Sequence, residues 1–318
     1  MKPITIRDLA EAAGTSIATV SRALSGAPKV GRETRSRIIH LAEELGYRSG
    51  NHRKTIGVVL PSVEVPRFDA YTAAFQKALT LEIYRRGFRT VILSFEDIEL
   101  LNETLVDGVL SFDFLGRIGK HWPRIKSLPL VCLNDLPNNL DQVYSVASDE
   151  LQGMKLAVDY LVSRGHRRIG FLRYLSPKFW KDIRRQTGFL AAMREHRLES
   201  TAFVELYSTQ SDYNALGALL DKKVTAIIAA DGESAGARIQ GILQQFGKRV
   251  PEDISIIGWE SEQVSNFLRP RQTTLAQNFP KLAAESLNLL EHLMDGTPHQ
   301  RNILVEYQLI ERDSVAIL

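Results

Sequence analysis

Hydrophobic positions in the first 47 residues recur at helical spacing in three short segments. The apolar stripe of the first segment consists of Ile6, Leu9, Ala10 and Ala13. Thr5 precedes this stripe as a helix cap, and Gly14 follows it as a residue that tolerates positive φ. Ser16 caps a second predicted helix over residues 17–24, and a third is predicted over 32–45. The inward face of the third consists of Ile38, Leu41, Ala42 and Leu45. A helix, a glycine-containing turn and a second helix form a helix-turn-helix.

From residue 55 onward the pattern changes to short apolar runs that alternate with amphipathic segments. The runs are TIGVVL, RTVILS, VDGVLSF, LPLVCL, RRIGFL, TAFVELY, TAIIAA and ISIIGW. This alternation is typical of βαβ units and therefore of parallel sheets. The number of runs predicts two sheets of five or six strands rather than one sheet. Ligands in such folds bind beyond the carboxyl ends of the strands, so a cleft between two lobes is expected.

Composition narrows the class of protein. The chain has 318 residues, of which 44% are hydrophobic and 24% charged, as expected for a soluble protein with two or three compact units. No apolar run approaches the roughly 20 residues of a membrane span. The N-terminal segment has no apolar signal-peptide core, which predicts a cytoplasmic location. The single cysteine, Cys132, lies in an apolar run and is predicted to be a buried strand residue, which excludes a disulfide framework.

No metal or nucleotide motif is apparent in the sequence. The seven histidines show no metal-ligand spacing, and no glycine-rich nucleotide loop is present, so neither a metal nor a cofactor is predicted.

Charge is unevenly distributed between the two ends of the chain. Residues 1–54 contain ten Lys or Arg and five Asp or Glu, a formal charge of +5, whereas the remainder carries −2. A basic head on a near-neutral body suits a polyanionic partner, although a solvated helical face would have the same charge.

The second predicted helix has the side chains that a DNA-reading helix requires. Its face opposite Val20 and Leu24 consists of Ile17, Ala18, Ser21 and Arg22. Arg22 can bond guanine with two N–H groups, and the two short apolar side chains can contact a thymine methyl group. Hydroxyl groups nearby suit phosphates. The predicted DNA contacts are Thr5, Ser16, Ile17, Ala18, Thr19, Ser21, Arg22 and Arg53. An unrelated three-helix bundle would fit the helical pattern equally well.

Longer motifs favour one family. The stretch TIRDLAEAAGTSIATVSRALSG, followed by ETRSRIIHLAEELGYR, resembles the DNA-binding head of the lac repressor (LacI/GalR) family. The rest of the chain resembles the same family in VDGVL, SVASDELQGMKLAVDYLVSRGHRRIGFL, RRQTGFLAAM, AADGESAGARI, VPEDISIIGW, RPRQTTL and LIERDS. The resemblance implies an α/β fold. A helix-turn-helix three-helix head precedes a two-lobed body like that of periplasmic binding proteins, with two parallel-sheet Rossmann-like lobes.

The resemblance also implies domain boundaries. The DNA-binding domain is expected at 1–48, a short linker at 49–54, and an effector-binding and dimerisation domain at 55–318. Within that domain, the first lobe comprises about 55–147 and 277–304, and the second about 148–276 and 305–318. The first lobe is trimmed, because only FEDIELLNETL separates RTVILS from VDGVL where relatives have a loop and a full helix. A shorter helix over LLNETL remains possible.

Register with the family supplies candidate effector contacts. Arg185 in RRQTG is the main one, since its planar guanidinium can bond two hydroxyls or a carboxylate. The other expected polar contacts are Asp149, Lys181, Asp231 and Glu260, and the possible stacking faces are Phe68, Phe179, Tyr213 and Trp259. Two alternatives stay open: Asp149 caps the following helix, or Trp259 belongs to the core. Lys181 brings positive charge, so a sugar phosphate or sugar acid is conceivable as effector.

One motif indicates a different function. Gly232–Gly236 reads G-x-S-x-G, follows the run TAIIAA and opens a helix, as a hydrolase nucleophile elbow does. Asp253 or Glu260, and then His292 or His299, follow Ser234 in the order that a catalytic triad needs. No HGGG-like segment supplies an oxyanion hole, however, and the same stretch lies where the family has a motif of its own. A serine hydrolase using Ser234 is therefore the alternative function, alongside a solute-binding protein without regulation.

The linker departs from the family. Relatives place a hinge helix there, and its leucine enters the minor groove and kinks the DNA. Here only Ser49-Gly50-Asn51-His52-Arg53-Lys54 separates Arg48 from Thr55, with no leucine and with a glycine that disfavours a helix. The six residues can span about 20 Å at most. We expect weak operator bending and signalling through the spacing of the two heads.

Together these patterns predict a cytoplasmic transcription regulator, specifically a repressor, with no enzymatic activity. It is expected to bind double-stranded DNA at a palindromic operator as a homodimer and to have no membrane partner. A small-molecule effector, expected to be a carbohydrate, controls its operator affinity.

Overall fold

The fold was analysed in a computed structural model, which describes residues 4–47, 53–61, 70–112, 128–134, 144–174, 180–207, 212–229, 235–259, 262–297 and 300–318. The chain divides into two compact units. Unit 1 comprises Met1–Arg67, Lys77–Val146 and Ala283–Ile303, and unit 2 comprises Phe68–Gln76, Ala147–Leu282 and Leu304–Leu318. The head thus belongs to unit 1. The expected domain boundaries differ from this division, because Phe68–Gln76 groups with unit 2 and because Ala283 rather than 277 begins the returning segment of unit 1, and they stay predictions.

Three helices form the head, as predicted. They are α1 (Ile6–Ala12), α2 (Ile17–Leu24) and α3 (Arg32–Glu44). Their apolar faces meet in one cluster of buried side chains, which includes Leu9, Ala10, Val20, Ile38 and Ala42. The bounds of α2 agree with the prediction because its N-cap and its amphipathic period are both local signals.

One inward-facing residue of α3 was predicted wrongly. Leu45 is 38% exposed, since α3 ends at Glu44 and Leu45 is its C-cap. Ile39 is buried instead, at 2% exposure, although it is not part of the core cluster of the head. The helix α3 also contacts the 3-10 helix Phe95–Glu103 of the body, and Leu105 packs against the core of the head. We attribute the burial of Ile39 to this second contact of α3.

A six-stranded sheet forms the framework of unit 1. Its strand order is β11-β5-β4-β3-β1-β2. The strands are β1 (Thr55–Leu60), β2 (Arg89–Ser94), β3 (Gly108–Ser111), β4 (Leu130–Leu133), β5 (Tyr144–Ser148) and β11 (Asn302–Val305). The pairs from β2 through β5 are all parallel. Helices α4 (Ala70–Arg85) and α10 (Phe279–Met294) contribute to its connections.

A second six-stranded sheet lies in unit 2, in the order β12-β10-β9-β8-β6-β7. The strands are β6 (Ile169–Tyr174), β7 (Ala202–Tyr207), β8 (Ala226–Ala229), β9 (Ser255–Gly258), β10 (Thr273–Ala276) and β12 (Gln308–Ile310). All pairs are parallel except β10 with β12. The helices of this unit are α5 (Glu150–Ser163), α6 (Trp180–Glu195), α7 (Asp212–Asp221), α8 (Ala235–Gln245) and α9 (Glu262–Phe267), with a 3-10 turn at Glu199–Thr201.

The predicted fold class is confirmed. Each of the eight apolar runs contains a strand, and the two sheets have six strands each. The trimmed segment of the first lobe forms the 3-10 helix Phe95–Glu103, in which Ile98 and Leu101 are buried, rather than a short helix confined to LLNETL. Cys132 is a buried residue of β4, as expected.

Candidate nucleic-acid interface and effector site

The helix α2 presents a continuous exposed face. Val20 and Ala23 are buried in the core of the head, whereas Ile17, Ala18, Ser21 and Arg22 are exposed. Ile17 is 43% exposed, so a large apolar group is part of this face. The face therefore combines short side chains, an apolar group and one cation, which are the elements of direct readout in a major groove.

The polar candidates of the head also stabilise its helix starts. The Oγ1 of Thr5 accepts the backbone N–H of Asp8 at 3.3 Å, and the Asp8 carboxylate accepts the backbone N–H of Thr5 at 2.8 Å, completing a capping box. Ser16 Oγ accepts the backbone N–H of Thr19 at 3.1 Å and lies 2.9 Å from its Oγ1. These contacts fix the amino ends of α1 and α2. Their predicted phosphate contacts stay predictions.

Two arginines of α3 have a structural role that the sequence did not reveal. Arg35 Nη2 donates to the backbone carbonyls of Ala27 and Val30, and Arg37 Nη2 donates to that of Ala13. Ala13 ends α1 and Ala27 lies just beyond α2, so both arginines bond carbonyls at helix carboxyl ends. The positive charge of the head thus divides between internal stabilisation and the exposed face of α2.

Arg22 and Arg53 differ in setting. Arg22 Nε donates to the Ala18 carbonyl at 3.0 Å, which holds its side chain along the surface of α2. Arg53 is exposed just before β1. The next residue, Lys54, forms an ion pair with Asp295 at 3.0 Å, and its carbonyl accepts the N–H of Arg89 at the edge of the sheet. The chain is therefore fixed to the body from Lys54 onward, while residues 49–52 of the linker lie outside the described residues.

In unit 2, Arg185 belongs to a buried polar cluster. We use the term Arg185 cluster for Glu150, Arg185, Trp259 and Tyr307. Arg185 Nε donates to Glu150 Oε2 at 2.7 Å, and its Nη2 donates to Oε1 at 3.3 Å. Tyr307 Oη donates to the same Oε1 at 2.9 Å. Glu150 is 0% exposed and Arg185 8%, so the ion pair is shielded from water.

Aromatic rings enclose this cluster. The guanidinium carbon of Arg185 lies 5.0 Å from the ring centroid of Trp259, within cation–π range. Trp259 meets Tyr307 edge to face at 5.3 Å, and the indole Nε1 is buried without a hydrogen-bond partner among the described residues. Trp259 follows β9 and belongs to the hydrophobic core of unit 2, as one alternative interpretation proposed.

Helix α5 fixes the position of Tyr307. The side chain of Gln152 accepts the backbone N–H of Tyr307 at 2.9 Å. Gly153 makes room for the ring, because a Cβ there would lie 2.7 Å from Tyr307 Cδ2. Burial raises the pKa of the Tyr307 hydroxyl, and the negative charge of Glu150 raises it further. The hydroxyl therefore stays protonated at neutral pH and acts as a donor to Glu150.

Of the remaining effector candidates, two are described by the structure and the others lie outside the described residues. Asp149 caps α5, since its Oδ1 accepts the N–H groups of Leu151 and Gln152 at 3.1 and 3.3 Å. Tyr213 stacks on Phe246 with ring centroids 4.3 Å apart and is 46% exposed. Outside the described residues lie Phe68, Phe179, Asp231 and Glu260, and also the side chain of Lys181. Their effector roles, like that of Asp149, stay predictions.

Sequence reasoning missed Glu150 and Tyr307. Glu150 stands at the first position of α5, where an acidic side chain is ordinarily a solvated partner of the helix dipole. Tyr307 lies 157 residues away from it. The available signal was an acidic residue beside Asp149, a predicted effector contact, and it does not distinguish a buried glutamate from an exposed one.

Neither a metal centre nor a membrane segment is found in the described part of the chain. Among those residues, no group of three or more His, Cys, Asp or Glu is arranged to hold a metal ion. No helix within the described ranges is both long and apolar enough to cross a bilayer.

Comparisons with known proteins agree with this architecture. Residues 5–49 match the family described as bacterial regulatory proteins, lacI family, and residues 158–315 match the periplasmic binding protein-like domain. The transcriptional regulator MalR of Streptomyces coelicolor is 28% identical over 336 residues, which cover 98% of this chain and 96% of MalR.

Solved structures of transcription regulators resemble this chain along nearly its whole length. A complex of the transcriptional regulator CelR with cellobiose is 25% identical, with a TM-score of 0.70, and the match covers 98% of this chain and 99% of CelR. The lac repressor dimer bound to operator shares the fold at 22% identity and a TM-score of 0.68, over 99% of this chain and all of that one. The head matches the lacI family, and its helix α2 has an exposed face. The chain belongs to the lacI family of bacterial regulatory proteins and is a DNA-binding transcription regulator.

Proposed function

We propose that this regulator is a repressor that binds a palindromic operator as a homodimer, with α2 of each head in a major groove. The observation that carries the proposal is the exposed face of α2, which consists of Ile17, Ala18, Ser21 and Arg22. Arg22 bonds guanine, while Ile17 and Ala18 contact methyl groups. The hydroxyls of Thr5, Ser16 and Thr19, together with Arg53, contact phosphates.

A carbohydrate effector controls the operator affinity in this proposal. Support comes from CelR, which resembles this chain over nearly its full length and was solved with cellobiose. The Arg185 cluster offers the charged donor and the aromatic surface that sugar recognition requires. The effector changes the balance between a geometry of the dimer that binds DNA and one that does not.

No catalytic step belongs to the proposed function. The relatives are transcription regulators rather than enzymes. Ser234 lies outside the described residues, and no relative supports a hydrolase. A solute-binding protein without regulation would have no use for the head. Because its partner is chromosomal DNA, the protein acts in the cytoplasm.

A mobility-shift experiment with the DNA upstream of its own gene tests the regulator. Arg22→Ala is expected to weaken binding roughly tenfold to a hundredfold, since a bidentate contact to a base contributes roughly 1–3 kcal/mol. The matched control is Arg194→Ala, which removes the same charge from an exposed position near the end of α6. Equal binding by wild type and Arg22→Ala would contradict the placement of α2 in the groove.

A thermal-unfolding screen against sugars tests the effector. A ligand that binds only the native state raises the unfolding midpoint by mass action. We expect at least one carbohydrate to raise the midpoint and to change the operator affinity in the mobility shift. A compound that does only the first would be a ligand but not an effector.

A further inference from the structure

The Arg185 cluster has a charge balance that bears on the class of effector. Arg185 is the assigned effector contact, and an unpaired guanidinium would favour an anion such as a sugar acid or a sugar phosphate. In this structure its charge is already compensated. Glu150 accepts from both Nε and Nη2 of the guanidinium, and neither residue is exposed by more than 8%.

The carboxylate is held in place by more than this one contact. Tyr307 Oη donates to Glu150 Oε1, and the amide of Gln152 fixes the backbone of Tyr307. Glu150 is itself the first residue of α5, adjacent to the Asp149 cap. Because its partners come from α6 and the segment before β12, the carboxylate loses contacts with two elements of unit 2 when it leaves Arg185.

An anion bound to Arg185 would therefore meet an unfavourable environment. A charge that loses contact with water needs a compensating charge, and the charge of Arg185 is taken by Glu150. An anion in contact with the guanidinium would also lie within about 4–6 Å of the Glu150 carboxylate, where like charges repel. A hydroxyl group has no net charge, and it both accepts from a guanidinium and donates to a carboxylate.

We propose that the Glu150–Arg185 pair makes the effector site selective for uncharged polyhydroxyl compounds over their acidic or phosphorylated counterparts, and that Glu150 determines this selectivity. The inference rests on the proposed function, because it takes Arg185 as an effector contact. It names the ligand class of that site: neutral sugars, with sugar acids and sugar phosphates excluded.

Matched pairs of compounds test the proposal on the full-length protein. The probes are glucose with glucuronate, galactose with galacturonate and cellobiose with cellobionate, together with glucose 6-phosphate. Thermal unfolding identifies the pair that binds, and titration calorimetry gives both dissociation constants. For wild type we expect the neutral member to bind at least tenfold more tightly. In Glu150→Gln, which keeps the shape but removes the negative charge, the ratio should shift at least tenfold toward the acid.

Glu195→Gln is the matched control. It removes the same charge from an exposed position of α6, where Glu195 pairs with Lys155, and it should leave the ratio unchanged. An unchanged ratio in folded Glu150→Gln would overturn the role of Glu150. Tighter binding of the acid by wild type would overturn the ligand class, and this comparison needs no variant, so it decides even where Glu150→Gln fails to fold.

The proposed function fails in a distinguishable way. If no carbohydrate of either kind binds wild type while operator binding depends on Arg22, the DNA-binding part stands, and both the carbohydrate effector and this inference are overturned. If an acidic sugar binds and releases the operator, the carbohydrate effector stands and only this inference is overturned.

Discussion

Two adjacent acidic residues at the start of α5 have different roles. Asp149 points back to the helix and accepts two backbone N–H groups, whereas Glu150 points into unit 2 and pairs with Arg185. The difference follows from position, since the N-cap side chain folds over the first turn and the next residue projects from the helix surface. A charge count from the sequence would treat the two residues as equivalent.

Substitution of Asp149 tests its role as the helix cap of α5. Asp149→Ala should lower the free energy of unfolding by about 1 kcal/mol, because it leaves the N–H groups of Leu151 and Gln152 without their acceptor. Asp149→Asn should cost only a few tenths of that, since asparagine caps helices equally well. Urea unfolding of both variants measures the difference. Equal losses in the two variants would show that the charge of Asp149, and not its capping, stabilises the fold.

Among the elements, α3 connects the head to the body by side-chain contact. The helix packs on α1 and α2 through Ile38 and Ala42, and its contact with the 3-10 helix accompanies the burial of Ile39. Leu105 follows that 3-10 helix and packs on the core of the head. The trimmed first lobe therefore contributes to holding the head, in addition to the short linker.

Leu105→Asp should weaken this contact. A charge placed against the apolar core of the head opposes the packing of the residue 105 side chain there, at a cost of about 1.5 kcal/mol, so amides of Arg32–Glu44 should exchange roughly tenfold faster. Hydrogen exchange measured by mass spectrometry provides the test. Leu190→Asp, at a 38% exposed position of α6, is the control. Unchanged exchange in α3 would mean that the head gains no stability from the 3-10 helix.

At the scale of the whole molecule, a basic head is attached to a near-neutral body by a linker without the features of a hinge helix. Residues 1–54 carry a formal charge of +5 and the rest −2. The attraction to DNA is therefore concentrated in the head, and operator binding should weaken steeply with salt.

Operator bending should be weak, because no leucine in 49–54 can act as a wedge between base pairs. A phasing assay on the operator measures the bend angle, and exchange of the central base pairs should change the affinity little. The variant Gly50→Leu, which has a potential wedge in the linker, provides a bend angle for comparison. A sharp central kink with the wild-type protein would contradict the tether interpretation of the linker.

Local patterns in the sequence were sufficient for much of the fold. Helix caps, the amphipathic period of α2 and eight apolar runs predicted the head and most strands. The four strands that the sequence analysis did not identify are β5, β10, β11 and β12, each of three to five residues. Segments such as TTLA and QLI are too short and too polar for a periodic signal, and only their pairing in the sheet makes them strands.

The sequence by itself determined the order of most of the elements, the exposed face of α2 and the family, because caps, periodicity and motifs depend on residues that are close together in the chain. Only the tertiary structure decided that Arg185 is neutralised by Glu150, that Tyr307 joins them, and that Arg37 bonds the end of α1. Those contacts join residues 35, 157 and 24 positions apart. The meeting of such groups depends on how the packed elements bring them together, and burial then makes the pairing of Glu150 with Arg185 obligatory.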